Sequence, residues 1–260
     1  MCELLGMSAN VPTDICFSFA GLMQRGGKTG PHKDGWGISF YEGQGCRSFL
    51  DAKPSVDSTI AEFVCNYPIK SNVVISHIRQ ANVGEVCLAN TQPFIRELWG
   101  RSWSFAHNGQ MNTVFDEVEL GRYQPVGTTD SEHAFCWLLD QIEKNFNGIE
   151  GNLETVARFI REHANTLAKL GVFNMLLSES KYLFCYCSTK LHWITRRAPF
   201  GEASLKDADI SIDFVKETGA NDVVSIIATE PLTQNEQWHT IEAGELIVFR
   251  QGEKVLSLTS

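Results

Sequence analysis

The sequence predicts an α+β domain in which two antiparallel β-sheets each bury one face. Many short segments have the composition of strands, several of them are joined by short polar links, and amphipathic helices are few and grouped between the strands. The 260 residues contain no Pro/Ser-rich linker, internal repeat or low-complexity tract. We therefore expect one continuous domain, whose 43% hydrophobic and 20% charged residues are ordinary for a globular protein.

The predicted strands are rich in β-branched, aromatic and other apolar residues and are bounded by polar turns. They are residues 2–9, 36–41, 72–79, 102–107, 172–178, 181–187, 191–196, 223–229 and 245–250. The links SES (178–180), STK (188–190) and QGEK (251–254) are short. Links of this length predict antiparallel hairpins, because a parallel crossover needs a dozen or more residues.

The predicted helices carry apolar residues at helical spacing on one stripe. They are residues 14–24 with a stop at Gly26-Gly27, residues 131–145, and residues 153–169 with Asn152 as N-cap and Gly171 as stop.

Composition and charge argue against several kinds of partner and against a place in or across a membrane. The formal net charge of −9 argues against nucleic acid and anionic membrane surfaces, which attract basic patches. No apolar stretch approaches the roughly 18–20 residues of a transmembrane helix. The start MCELLGMSAN lacks the basic region of a secretory signal. We therefore expect a cytoplasmic protein.

The cysteines are predicted to be reduced, and most of them are predicted to be packing residues. There are eight, at positions 2, 16, 46, 65, 87, 136, 185 and 187. Disulfides are rare in cytosolic proteins. Cys185 and Cys187 share one face of a predicted strand, but no second Cys or His pair stands at zinc-finger spacing. Nothing in the sequence calls for a metal ion or an organic cofactor.

Cys2 is the strongest chemical signal in the chain, because only Met1 precedes it. Methionine aminopeptidase removes an initiator Met before a small residue, which would leave Cys2 with a thiol and a free α-amino group. The thiol is a nucleophile, and an amine with an ordinary pKa of about 7.7–8.0 can serve as its general base. The alternatives are a small buried hydrophobic residue or a frayed terminus.

Two further positions offer groups that bind or polarise an acyl substrate. Arg79 ends the apolar strand NVVISHIR, and its planar guanidinium suits a carboxylate clamp. A structural ion pair at the domain rim is the alternative. Asn108-Gly109 follows another predicted strand and is the usual composition of a turn. The Asn side-chain N–H and the Gly backbone N–H could instead form an oxyanion hole for a tetrahedral intermediate.

Asp130, within GTTDSEHAF, precedes a predicted helix. Its position predicts the N-cap of that helix, which is the usual role of Asp there. A carboxylate at such a junction could instead bind a substrate ammonium group.

These residues lie in motifs that together resemble one family, the class II glutamine amidotransferases, whose glutaminase domains are N-terminal nucleophile hydrolases. The motifs occur in the family's order: Cys2, HKDGWGISFY (32–41), SHIRQAN (76–82), NTQPF (90–94), FAHNG (105–109) and TTDSE (128–132). The segments FNMLLSESKYLFCY and ATEPLTQNEQWHTIEAGELIVF extend the resemblance over nearly the whole chain, and they are similar to a short, stand-alone bacterial branch.

The resemblance implies a four-layer αββα sandwich and a single glutaminase domain over residues 2–260, with Met1 removed. It also implies roles for the matching positions. Cys2 is the nucleophile, with its own α-amino group as base and then as acid for the departing ammonia. Arg79 clamps the α-carboxylate of glutamine and Asp130 binds its α-ammonium group, while Asn108 and Gly109 form the oxyanion hole.

The sequence departs from the family's pattern at two positions. Gln92 stands where many relatives have His, and Gln80 stands where relatives often have Trp or Ala. Many relatives also carry a synthase domain, for which this chain leaves no room. We therefore expect either a separate protein that accepts ammonia or simple hydrolysis.

The predicted activity is that of a glutaminase. Cys2 attacks the γ-amide of glutamine, ammonia leaves, and water hydrolyses the γ-glutamyl thioester to glutamate. One alternative is hydrolysis of a larger γ-glutamyl amide or peptide by the same residues. Another is a regulatory subunit without chemistry of its own, which retention of Met1 would favour.

Overall fold

The computed structural model describes residues 2–67, 69–82, 84–214 and 219–259. Its strands, numbered in chain order, are β1 (Glu3–Asp14), β2 (Trp36–Glu42), β3 (Gly45–Asp51), β4 (Lys70–Ile78), β5 (Phe94–Leu98), β6 (Arg101–Met111), β7 (Gly171–Ser178), β8 (Leu183–Tyr186), β9 (His192–Arg197), β10 (Glu202–Ser204), β11 (Ser211–Asp213), β12 (Val223–Ala228), β13 (His239–Thr240), β14 (Leu246–Arg250) and β15 (Glu253–Leu258). Its helices are α1 (Cys16–Arg25), α2 (Thr59–Asn66), α3 (Val114–Glu117), α4 (Asp130–Asn145) and α5 (Leu153–Ala168), with short 3₁₀ turns at Ser55–Asp57 and Leu88–Asn90.

Two antiparallel sheets form the centre of the molecule. The first sheet has the strand order β13-β9-β12-β1-β4-β2-β3, and the second has the order β15-β14-β8-β7-β6-β5. Strands β10 and β11 form a separate small ribbon. Because β1 and β6 lie inside their sheets, residues at the ends of both strands are held from two sides.

Three apolar layers hold the fold together, because strand side chains alternate between the two faces of a sheet. Between the sheets, Leu4, Ile75 and Ile227 of the first sheet pack against residues of the second, including Leu176 and Cys185. Helices α1 and α2 cover the outer face of the first sheet, and α4 and α5 cover that of the second. The α+β class and the αββα arrangement are therefore confirmed.

All the predicted strands and helices are present, with shifted ends. Strand β1 continues to Asp14 because an irregularity after Ser8 lets Thr13 pair with Ser71. Helix α5 ends at Ala168, so Gly171 opens β7 rather than stopping the helix, and Asn152 occupies the N-cap position without a side-chain hydrogen bond.

Several elements were not predicted. They are β3, β5, β10, β11, β13, α2 and α3, and β15 was predicted only as the unnamed partner strand of the QGEK hairpin. Most are short, and β3 and β5 lie at sheet edges, where exposure on both faces weakens the apolar pattern. The hairpin predicted at QGEK is confirmed by the pairing of β14 with β15.

The STK link was wrongly predicted to be a hairpin. Strand β8 lies in the second sheet and β9 in the first, so this link crosses between the sheets. The Asn174 side chain replaces the missing hairpin bonds, because its Oδ1 accepts from the backbone N–H groups of Ser188, Thr189 and Lys190 at 3.0, 3.0 and 3.2 Å. The SES hairpin is confirmed by β7 and β8.

Most of the cysteines pack in or against the apolar core, namely Cys46, Cys65, Cys136, Cys185 and Cys187. All eight are free thiols. Cys185 and Cys187 are both buried in the layer between the sheets, as their spacing predicts. Among the described helices, none has the length and apolar character needed to cross a bilayer.

Candidate active site

A small pocket of about 30 Å³ lies where the ends of β1 and β4, the second half of β6 and the start of α4 meet. Four of the five predicted site residues line it, namely Cys2, Arg79, Gly109 and Asp130. The other lining residues are Gln80, Ala81, Asn82, Gln92, His107, Gln110, Thr129 and Ser131. The fold thus joins motifs that are far apart in sequence.

Cys2 sits just before β1 and contacts the backbone of Gln80. The Gln80 N–H donates to the sulfur at 3.4 Å, and the thiol lies 3.6 Å from the Gln80 carbonyl oxygen. Burial raises the pKa of the Cys2 thiol, and the Gln80 N–H and the charge of Arg79 partly oppose that rise. A thiol with a raised pKa needs a base before it can attack a carbonyl carbon.

Arg79 follows β4 and is only 3% exposed. Its Nη1 donates to the Glu85 carbonyl at 3.0 Å and to the Asp34 carbonyl at 3.5 Å. The Asp34 carboxylate also accepts from the Ala81 N–H at 2.7 Å. The DG pair of the HKDGWGISFY motif therefore positions the segment that carries Arg79 and Gln80, and the Arg79 N–H donates to Gly35 O at 2.8 Å.

Asp130 is the first residue of α4, and the prediction that it caps the helix is wrong. Thr129 is the N-cap, because its side chain accepts from the Glu132 N–H. The Asp130 carboxylate instead accepts from the backbone N–H groups of Met111 and Ser131, both at 2.8 Å. These bonds hold a carboxylate at the pocket wall and leave it available on its partly exposed side.

His107 forms a wall of the pocket that the prediction did not include. Its ring nitrogens contact Ser131 Oγ at 2.8 Å and the Val172 carbonyl at 3.1 Å. Since a carbonyl only accepts, the Nε2 atom carries the proton. Burial lowers the pKa of His107, against the opposing charge of Asp130. Hydrogen bonds on both ring nitrogens therefore hold His107 in place beside Asp130.

Asn108 lies behind the pocket and is 1% exposed. Its Nδ2 donates to Thr229 Oγ1 at 3.2 Å, and its backbone carbonyl accepts from Asn174 Nδ2 at 3.0 Å. Within the described part of the chain, its Oδ1 has no hydrogen-bond partner. The side chain is thus next to Gly109 but engaged with a different strand.

Gly109 is required by sterics. A Cβ at this position would lie 1.8 Å from the Val172 carbonyl oxygen and 2.8 Å from His107 Nε2. Only a shift of the β6 or β7 backbone could relieve such an overlap. The Asn-Gly pair lies within β6 rather than in a turn. Its glycine lets β6 and β7 approach closely.

Two residues without a predicted role, Gln92 and Thr229, contact the segment of β6 that carries Asn108 and Gly109. Gln92 Oε1 accepts from the His107 N–H at 2.6 Å, so it holds β6 one residue before Asn108. Thr229 contacts Asn108 itself. Both stand within the quoted family segments, but nothing in those segments indicates a contact with β6.

The motifs and their arrangement agree with comparison to known sequences. The chain matches the sequence model described as class-II glutamine amidotransferases over residues 1–260. This chain belongs to that family. The resemblance inferred from the separate motifs is therefore confirmed.

Two relatives show how closely this class II amidotransferase matches stand-alone bacterial proteins. It is 61% identical over 256 residues to the Escherichia coli K12 protein named "Putative glutamine amidotransferase YafJ". The aligned region covers 98% of this chain and 100% of the relative. It is 46% identical over 255 residues to a similarly named Haemophilus influenzae protein, covering 98% of this chain and 86% of the relative.

Solved structures agree on the fold. A Pseudomonas aeruginosa structure, titled a predicted glutamine amidotransferase, has a TM-score of 0.79 at 52% identity and covers 98% of this chain and 100% of its own. The Bacillus subtilis glutamine phosphoribosylpyrophosphate amidotransferase has a TM-score of 0.60 at 15% identity, covering 99% of this chain and 49% of its own. At that identity the second likeness shows the fold alone.

Proposed function

We propose that this amidotransferase cleaves the γ-amide of glutamine with Cys2 as nucleophile, and that the working domain is residues 2–260 after loss of Met1. One observation carries the proposal. Cys2 shares its pocket with the Arg79 guanidinium and the Asp130 carboxylate. A thiol flanked by one cation and one anion is complementary to an amino acid whose amide lies at the far end of its side chain.

In this proposal, Arg79 and Asp130 bind the two charged groups on the α-carbon of glutamine. Arg79 clamps the α-carboxylate with its planar guanidinium, and Asp130 binds the α-ammonium group. Both side chains are held by backbone groups, Arg79 by the carbonyl of Glu85 and Asp130 by the N–H of Met111. Rigid placement matters, because a well-oriented substrate supplies a large part of the rate enhancement.

The proposed chemical steps begin at the thiol, whose raised pKa calls for a base. The α-amino group of Cys2 takes the thiol proton as sulfur bonds to the carbonyl carbon of the γ-amide. The carbonyl oxygen becomes an oxyanion, stabilised by donors from Asn108 and Gly109. The protonated amine then gives its proton to the leaving ammonia, and a thioester remains. Water adds to the thioester, and glutamate and the free thiol are released.

Ammonia then leaves to solvent or to a separate acceptor protein in the cytoplasm. Membranes and nucleic acids have no role in the proposed reaction, in keeping with the net charge of −9.

A larger γ-glutamyl amide is the second candidate substrate, and one observation favours it. Val86, Leu88 and Val126 are 51%, 58% and 77% exposed. They lie on two loops that are tied together by Asn90 and Thr128, and the first loop holds Arg79 through Glu85. Exposed apolar side chains on the loop that holds Arg79, and on the loop joined to it, could contact an amine larger than ammonia. Comparing kcat/KM for glutamine with that for γ-glutamyl peptides decides between the substrates.

Intact mass measurement with a diazoketone analogue of glutamine tests the nucleophile. We expect the purified protein to have lost one Met and to gain one adduct, located at Cys2 by peptide mapping. Cys2→Ala should gain none and should not turn over glutamine. The matched control Cys16→Ala removes another partly buried thiol and should react like the parent protein. A retained Met1, or an adduct elsewhere, contradicts the proposal.

A further inference from the structure

Two unsatisfied groups meet behind the pocket. The first is Oδ1 of Asn108, which is buried and finds no hydrogen-bond donor among the residues that the structure describes. The second is the hydroxyl proton of Thr229, for which the described residues offer no acceptor. Buried polar groups are nearly always paired in native proteins, so two orphans on neighbouring side chains call for an explanation.

Thr229 follows β12 and is 3% exposed. Its Oγ1 accepts from the Leu4 N–H at 3.0 Å and from Asn108 Nδ2 at 3.2 Å. A threonine hydroxyl has two acceptor sites and one donor site. Both acceptor sites are therefore used, and the proton of the hydroxyl is left over.

A half-turn of the Asn108 amide about its Cβ–Cγ bond would pair these two groups with each other and would leave Nδ2 as the unpaired group. Oδ1 then faces Thr229 and accepts the hydroxyl proton, while Thr229 keeps the bond from Leu4. The Nδ2 group moves to the position that Oδ1 now occupies, where the described residues offer no hydrogen-bond partner. Its N–H bonds are then free to donate to a charge that forms on the substrate.

We infer that Thr229 is a positioning residue, which holds the Asn108 amide with its Nδ2 directed toward the substrate. The inference rests on the proposed function, in which Asn108 supplies an oxyanion donor. An asparagine amide has two orientations of almost equal shape, so sterics alone do not select one. The single hydroxyl proton of Thr229 selects the orientation, because only Oδ1 can accept it.

The position of Thr229 suits this role. Its backbone is fixed by bonds from its N–H to the Leu4 carbonyl at 3.2 Å and between its carbonyl and His192 Nδ1 at 2.9 Å. Leu4 lies on β1, two residues after Cys2. One hydroxyl therefore links the strand that begins directly after the nucleophile, in the first sheet, to the oxyanion residue in the second.

A double-mutant cycle on glutamine hydrolysis tests the inference. Thr229→Val keeps the shape and removes the hydroxyl. We expect it to lower kcat at least about tenfold with little change in KM, because a misdirected donor acts on the transition state. Thr229→Ser should restore most of the loss. Asn108→Ala should cost about 10²–10³ in kcat, and adding Thr229→Val to it should cost little more.

The matched control is Thr195→Val, which removes a hydroxyl bonded to Ser225 on the neighbouring strand of the first sheet. It should leave kcat within about twofold and should be additive with Asn108→Ala. If Thr229→Val does not fold, Thr229→Cys, a weaker donor, replaces it in the cycle with a smaller expected loss.

Independent, multiplicative effects of Thr229→Val and Asn108→Ala would overturn the inference, as would full activity of Thr229→Val. Failure of the proposed function looks different. In that case the parent protein does not hydrolyse glutamine or γ-glutamyl peptides, and no adduct forms at Cys2.

Discussion

The Arg25 guanidinium lies 3.0 Å from the carboxylate of Glu3, the residue directly after Cys2. The same guanidinium lies 2.8 Å from the Asp207 carboxylate and donates to the carbonyls of Glu230 and Pro231. Arg25 is 7% exposed. The start of β1, and with it the sulfur of Cys2, is therefore anchored by a buried charge network reaching from α1 to the loop between β10 and β11.

Arg25→Gln should destabilise the protein strongly. It leaves the Glu3 and Asp207 carboxylates without their cation, and breaking a buried ion pair costs about 3–5 kcal/mol. The free energy of unfolding in urea measures the effect. The control Arg158→Gln breaks an exposed pair with Glu154 on α5, for which about 0.5 kcal/mol or less is expected. Equal losses for the two variants would contradict the anchoring role.

Asp130→Ala should raise KM for glutamine more than KM for a γ-amide that lacks the α-amino group. The reason is that only glutamine carries the ammonium group that the carboxylate is proposed to bind. Steady-state kinetics on both substrates gives the comparison. Asp116→Ala, at an exposed carboxylate of α3, is the matched control and should change neither KM. If KM rises equally for both substrates, Asp130 only holds the backbone at Met111 and Ser131.

Gly109→Ala should lower kcat by about 10²–10³, the typical cost of losing one oxyanion donor. The new methyl group would meet the Val172 carbonyl at 1.8 Å, so β6 must shift away from β7. A loss of about 1–3 kcal/mol in stability should accompany it. In Gly45→Ala the nearest atom is Glu42 O at 3.7 Å, and this control should behave like the parent. Normal kcat in Gly109→Ala would refute the steric argument.

The buried histidine His77 should make stability fall with acidity. It lies on β4 opposite Leu4, and in the described structure neither ring nitrogen has a hydrogen-bond partner. Burial lowers the pKa of His77 from 6.5 to about 3, assisted by His107 and Arg79. Between these values the unfolded chain binds a proton that the folded chain does not. Stability is therefore full above about pH 6.5 and is lost as pH falls toward 3, by about 1.4 kcal/mol per unit.

His77→Gln should remove this contribution, so its free energy of unfolding should fall less between about pH 7 and about pH 5 than that of the parent. Some slope should remain, because burial also lowers the pKa of His107. His239→Gln, at an exposed histidine, should keep the full slope. An unchanged slope in His77→Gln would show that His77 takes up its proton in the folded state.

The main strands and helices were predictable because their patterns are local. The side chains of the run VVISHI alternate between the two apolar layers on either face of the first sheet, and the run forms β4. The stripe through Val156, Ile160 and Ala164 packs α5 on the second sheet. Edge strand β3 has no such pattern, since both of its faces are partly exposed. The STK link was misjudged because a short link looks the same whether the chain returns within a sheet or passes to another.

The order of motifs along the chain was enough to identify the family and to choose Cys2, Arg79, Gly109 and Asp130, which share one pocket. Residue types and spacing carry that information, because chemistry requires particular side chains. The contacts between distant segments are different. Cys2 meets Gln80 across 78 residues and Asn108 meets Thr229 across 121. Such contacts depend on which strands become neighbours and on how the two sheets stack. A local sequence pattern carries no information about either. The role inferred for Thr229 was therefore visible only after the sheets had been brought together.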